Sequence, residues 1–313
     1  MKATSQPAGT GSADSGGRQL SAEERCALLL EIGRRSRGTL DLGQMFDRLL
    51  DAQVRLAREV QIGLLPRSAP NLPGWDIAGL CRPSLELGGD LYDHFPLAAG
   101  RRMEPGRAGR HGLVIGDVAG KGVPAALIMA TFRALLRARR DPAGDTESGD
   151  PVGPAVTVAA VSRLLRESTA TRAFVTCCYA VLDADSGEIA YSSCGHPPAL
   201  LARSSGALAA LEELDNCGPA LGAFEHERFV ERPVTLAPGD SLLLYTDGLT
   251  EALNPAGEPF GVERVRAAFA ELAGRQEISA LRLADELVRR IVDFVSSEQL
   301  ADDLSLVVVR RLS

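Results

Sequence analysis

Leu242-Leu243-Leu244-Tyr245-Thr246-Asp247-Gly248-Leu249-Thr250-Glu251 joins an uncharged apolar run to an acidic turn. The run from Leu242 to Tyr245 has the pattern of a strand buried on both faces, and Gly248 lets the chain turn sharply behind Asp247. Asp247 is therefore expected at the rim of a core, where a carboxylate needs a cation. Three other segments share the design: Gly88-Gly89-Asp90, Gly116-Asp117-Val118-Ala119-Gly120-Lys121-Gly122, and Ala301-Asp302-Asp303-Leu304-Ser305 running into Leu306 to Val309. Each sets an Asp beside glycine or at the edge of a β-type run. Such a set suits Mg²⁺ or Mn²⁺, hard cations that take oxygen ligands from a few rigidly placed carboxylates. Two ions so held can position a hydroxide for in-line attack on phosphorus. Taken singly, each Asp-Gly pair is equally ordinary turn chemistry.

Composition narrows the setting. The 313 residues carry a net charge of −7, which argues against broad binding to nucleic acid or anionic membranes. A hydrophobic content of 45% is enough for a substantial core. No apolar run has the length of a membrane span and the N-terminus lacks the pattern of a signal peptide, so a cytoplasmic location is expected. The cysteines, Cys26, Cys81, Cys177, Cys178, Cys194 and Cys217, form no CxxC. Adjacent Cys177 and Cys178 should point to opposite faces of a strand as small core residues.

Residues 1–20 are rich in Gly, Ser and Thr and read as a disordered tail. Residues 21–66 read as a helical linker or regulatory segment. Ser21-Ala22-Glu23-Glu24 matches a capping box for a first helix, and Asp41 with Gln44 caps a second that runs to Leu64 and stops at Pro66. Its apolar stripe, Phe46, Leu49, Leu50, Leu56, Ala57, Val60 and Leu64, either packs on its own domain or serves as a dimerisation or signal-transmitting surface. From residue 67 on, strands are expected at 75–81, 88–95, 112–118, 174–183, 188–193, 199–203, 229–236, 241–246 and 304–310. Helices are expected at 124–140, 155–167, 262–272 and 278–295, with exposed loops at 98–110 and 141–153. Strands in hairpin order with grouped helices indicate an α+β fold with largely antiparallel sheets.

From residue 57 to 310 the chain resembles the PPM family of metal-dependent serine/threonine protein phosphatases, the protein phosphatase 2C type, and within it the bacterial SpoIIE-like and RsbU-like branch. The resemblance rests on Val60-Gln61 with Leu64-Leu65-Pro66, Gly88 to Asp93, Gly116 to Gly122, Phe174-Val175-Thr176, Gly195-His196-Pro197-Pro198, Gly218 to Gly222, Tyr245 to Ala252, and Asp302-Asp303-Leu304-Ser305. It implies an αββα four-layer sandwich over residues 67–313, with two Mn²⁺ or Mg²⁺ ions at one end. By motif position Asp117 would bridge the ions and the Val118 carbonyl would complete one shell. Asp90 would hold one ion, directly or through water, and Asp247 and Asp302 the other; these four acids are the expected catalytic set. Strand alternation sends Asp302 and Asp303 apart, so only one should face the metals. His196 reads as a loop-fixing residue rather than an acid, and Lys121 as either a phosphate-orienting or a merely exposed side chain. The implied substrate is a phosphorylated anti-sigma-factor antagonist, a small STAS-type domain. The alternative is a regulatory switch of the same fold with low basal activity, activated when a partner reorders the helix. Hydrolysis of a small phosphoester has less support, because no Gly-x-x-x-x-Gly-Lys loop is present.

Overall fold

The computed structural model describes residues 42–97, 109–139, 152–168, 173–204, 209–275, 277–297 and 300–312. The first expected helix, the Asp41 cap, Cys26, and nearly all of the two long loops lie outside them. The chain divides into two compact units, residues 1–53 and 54–313. Helix α1 (Leu42–Leu64) begins in the first and ends in the second.

The remaining elements all belong to the second unit. Strands β1 (Trp75–Arg82), β2 (Leu91–Pro96) and β3 (Arg110–Val118) precede helices α2 (Val123–Ala138) and α3 (Pro154–Ser168). After them come β4 (Val175–Asp183), β5 (Glu188–Cys194), β6 (Leu200–Arg203), β7 (Ala210–Glu213), β8 (Arg232–Thr235) and β9 (Ser241–Tyr245). Helices α4 (Gly248–Glu251), α5 (Val262–Ala273) and α6 (Ala280–Val295) lead to β10 (Leu304–Arg311). One sheet has the order β1-β10-β9-β6-β7 and the other β2-β3-β4-β5-β8, with antiparallel neighbours throughout.

Alternation along the central strands explains the four layers. Leu242, Leu244, Val307 and Val309 meet Leu113, Ile115, Ala180 and Leu182 between the sheets. Their neighbours Leu243, Tyr245, Leu306 and Val308 face outward onto Phe269 of α5 and Leu283 and Leu287 of α6. In the second sheet Val114, Val118 and Cys177 turn outward onto Met129 and Phe132 of α2 and Val158 and Val161 of α3. A strand covered on both faces has no polar side to show, which is why these runs are uninterruptedly apolar. Cys178 faces inward while Cys177 faces the helices, and both are free thiols acting as packing groups.

Polar ties fix the outer helices. Asp76 on β1 accepts from the Ala280 amide at 2.7 Å, anchoring the start of α6, where Ser279 caps the Arg282 amide. Buried Asp93 on β2 takes a fork from Arg137, at 2.6 and 2.8 Å, and a contact from Arg133 at 2.9 Å. Helix α2 is thereby clamped at its far end, and its near end starts at the Asp117–Gly122 turn.

The structure departs from the sequence expectations in four places. Strand β2 starts at Leu91 rather than Gly88, because the amide of Gly89 is drawn to a carboxylate described below. Residues 229–236 yield only the short β8, and the edge strand β7 was unforeseen. Gly248–Glu251 forms a helical turn instead of an irregular one, through Thr250 and Glu251 amides that both donate to the Asp247 carbonyl at 2.8 Å. Among the described residues no helix is long and apolar enough to cross a membrane.

Candidate metal centre

Antiparallel pairing brings the acidic turns to one end of the sandwich. Leu91 at the start of β2 pairs with Gly116 near the end of β3, so Asp90 and Asp117 follow each other across that sheet. In the facing sheet Tyr245 at the end of β9 pairs with Leu306 near the start of β10, which places Asp247 and Asp302 just beyond the same edge. One sheet therefore supplies Asp90 and Asp117, the other Asp247 and Asp302.

Their electrostatics show that they share a field. The Asp117 carboxyl is pushed up to about 6, first by burial and then by Asp247, Asp302 and Asp303. Burial, then Asp117, raises that of Asp90, which is only 4% exposed. Half-buried Asp247 is raised by burial and by Asp302, an effect only partly offset by the amides of Gly248 and its own residue. Its side chain makes no cap hydrogen bond to α4, so the carboxylate is not consumed by the helix. Negative charge outweighs positive here, since Lys121 offsets only part of the repulsion felt by Asp247.

Asp90 and Asp302 have local supports. Thr246 Oγ1 donates to Asp90 at 2.8 Å across the sheets and accepts from the Ser305 amide at 3.0 Å. Asp303 is buried and accepts from the Ser84 amide at 2.7 Å, the Ser84 hydroxyl at 3.0 Å and the Gly89 amide at 2.7 Å. It thus fixes the loop that presents Asp90. Asp302 parts from it and lies 3.1 Å from Lys121 Nζ, which also donates to the Ala301 carbonyl at 2.9 Å. Gly248 is required by close approach, since a Cβ there would overlap the Asp303 carbonyl.

Behind the acids, His196 is buried, with Nδ1 3.0 Å from Thr176 Oγ1 and Nε2 unpartnered. Thr176 is the cross-strand neighbour of Asp117. Burial pushes the His196 ring down to about 3, which disfavours the imidazolium form that a general acid would use. The motif run singled out Gln61, but nothing in it showed that this side chain would be buried against Gly88, with the Gln61 amide 2.6 Å from the Gly88 carbonyl. The roles of Thr246, Ser84 and Asp303 also depend on contacts between distant segments that no local pattern encodes.

The donor set fits hard divalent cations. All of it is carboxylate and carbonyl oxygen, and glycine at 89 keeps the Val118 carbonyl uncovered, where a Cβ would stand 2.8 Å from the oxygen. Among the described residues no group of three or more His, Cys, Asp or Glu side chains stands close enough together to hold a metal ion by itself. An ion such as Mg²⁺, which keeps several of its waters, does not need a complete protein cage. Two cavities, about 430 Å³ against β1, β2 and Pro66 to Pro70 and about 690 Å³ beside Trp75 and Arg311, contain none of the four acids.

Residues 107–312 match the model of the family described as Stage II sporulation protein E (SpoIIE). Protein IcfG of Synechocystis sp. is 28% identical over 296 residues, which cover 87% of this chain and 44% of IcfG. Phosphoserine phosphatase RsbU of Bacillus subtilis is 25% identical over 268 residues, 84% of this chain and 71% of RsbU. The fold is similar to that of the SiaA-PP2C domain of Pseudomonas aeruginosa, with a TM-score of 0.69 at 20% identity, covering 84% of this chain and 98% of that one. The chain thus spans less than half the length of IcfG and about seven tenths of RsbU.

Proposed function

That the chain belongs to the SpoIIE family of PP2C-type phosphatases is the premise from which we propose its chemistry: hydrolysis of a phosphoserine or phosphothreonine ester on a protein. One observation carries the reading, the meeting of Asp117 and Asp90 from one sheet with Asp247 and Asp302 from the other. Phosphatases of this type are metal-dependent. Two Mn²⁺ or Mg²⁺ ions would be held by these acids: Asp117, Asp90 and the Val118 carbonyl from one sheet, and Asp247 and Asp302 from the other. Such ions supply Lewis acidity, lowering the pKa of a water and drawing charge from the phosphoryl oxygens.

The chain's own contribution is placement. Thr246 fixes Asp90, and Asp303 fixes the loop ahead of it, so the carboxylates need no reorganisation when the substrate arrives. Water attacks phosphorus, the bond from phosphorus to the serine oxygen breaks, and that oxygen leaves as the alcohol with one of the two protons of the water, the other staying with the phosphate. No protein nucleophile is called for. Cys81, the thiol nearest in chemistry to the site, is pushed up to about 12 by burial and by Asp90 and stays protonated.

For the substrate we propose a phosphorylated STAS-type anti-sigma-factor antagonist, as the resemblance of the motif run implies; the similarity to a relative named phosphoserine phosphatase supports the phosphoserine ester alone. A second reading, activation by an upstream partner or by a second copy of the chain, is favoured by Leu56 and Val60, apolar side chains of α1 that are 56% and 63% exposed. Phosphate release with Mn²⁺ from a phosphorylated STAS domain, compared with a peptide carrying the same phosphoserine, tests the substrate. The folded domain is expected to be better by roughly 100-fold in kcat/KM, through binding remote from the ester. Equal values would remove the STAS assignment.

A further inference from the structure

Among residues 54–64 of α1, Gln61 alone is buried, on a helix whose other polar side chains face solvent. Its amide grips both backbone groups of one residue, Gly88. Gln61 Nε2 donates to the Gly88 carbonyl at 2.6 Å, and Gln61 Oε1 accepts from the Gly88 amide at 3.2 Å. Both groups of Gly88 are thereby satisfied by a side chain 27 residues earlier in the chain. The next residue, Gly89, donates its amide to Asp303, and the residue after it is Asp90. The loop before β2 is therefore held from two sides, by Asp303 from the last strand and by Gln61 from the helix. Glycine at 88 leaves no side chain between them, since a Cβ there would overlap the Asp303 carboxylate.

The geometry points to Gln61 as a positioning residue for Asp90, through which the end of α1 sets how well the acid cluster holds a divalent cation. The inference rests on Asp90 being a metal ligand, as proposed above. A side chain that fixes a ligand without touching the ion changes metal affinity by about 10- to 100-fold when removed. Leucine at 61 keeps much of the volume but leaves the Gly88 amide and carbonyl without partners in a buried place.

The test uses the full chain with Gln61→Leu and, as a control, Ile62→Ala at an exposed neighbour on the same helix. Calorimetric titration with Mn²⁺ should show affinity falling about 10- to 100-fold in Gln61→Leu and unchanged in Ile62→Ala. Phosphate release should fall at limiting Mn²⁺ and recover at saturating Mn²⁺, a rescue that a general loss of structure would not give. Metal-free hydrogen exchange should show the Gly88, Gly89 and Asp90 amides losing protection by about 10-fold or more. Unchanged Mn²⁺ affinity in folded Gln61→Leu overturns the inference. Should that variant not fold, Gln61→Asn, whose amide is withdrawn by one methylene, is held to the same two outcomes. Exchange separates the two claims: loosened amides with no Mn²⁺ binding by the unsubstituted chain would sink the ligand assignment, whereas tight Mn²⁺ binding with unaltered exchange would sink the role of Gln61.

Discussion

Replacing Asp303 with alanine is expected to destabilise the metal-free protein by about 1–3 kcal/mol, a sizeable share of the roughly 5–15 kcal/mol that holds a typical domain folded. The carboxylate is buried and accepts from two backbone amides and one hydroxyl, those of Ser84 and Gly89. Alanine leaves the buried Gly89 amide without a partner and frees the part-buried amide and hydroxyl of Ser84, and hydrogen bonds to a charged acceptor are worth more than neutral ones. Asparagine keeps one acceptor oxygen but turns an NH₂ toward a donor, so its cost should fall between alanine and the native residue. Urea unfolding followed by circular dichroism measures this. An Asp303→Ala midpoint equal to that of the unsubstituted chain would mean that the loop at 84–90 is not held as described.

Asp117→Asn should act in the opposite sense. Its carboxylate is pushed up to about 6 by burial and by the neighbouring acids, so at neutral pH it is held charged among repelling charges. Asparagine removes one of those charges, and the metal-free protein should gain stability, by about 1 kcal/mol after allowance for solvent screening. Activity should collapse, by roughly 1,000-fold or more in kcat/KM, about 4 kcal/mol of transition-state stabilisation. A residue kept for the fold would lose both properties together; one kept for chemistry trades stability for activity. Parallel thermal melts and phosphate-release assays distinguish the cases, and a variant that is less stable yet fully active would refute the role given to Asp117.

How much of this was legible in the residues depends on where the determining contact lies. Leu242 to Tyr245 could be read as a doubly covered strand because the signal is local: four apolar residues in a row, then Asp-Gly. The same holds for the opposed faces of Cys177 and Cys178 and for the helix ending at Val295, whose apolar stripe repeats every three or four residues. Gly88 to Asp90 was misread as strand because the Asp303 carboxylate that bends it away lies more than 200 residues later. Gly248–Glu251 was missed as helix because a glycine start and a single turn leave no periodicity to detect. Gln61 borders the apolar stripe, one turn from Ala57 and Leu64, and only the folded chain brings Gly88 to it. The four acids were legible as a set because each carries its own turn signature, whereas the side chains that orient them do not.

The most direct measurement is release of phosphate from a phosphoserine protein by the full chain, with and without Mn²⁺, beside Asp247→Asn. The account predicts release that requires the metal and that the substitution abolishes, since Asp247 is proposed to hold one of the ions. Release that continues in a chelator, or that survives in Asp247→Asn, would contradict a metal centre built from these acids.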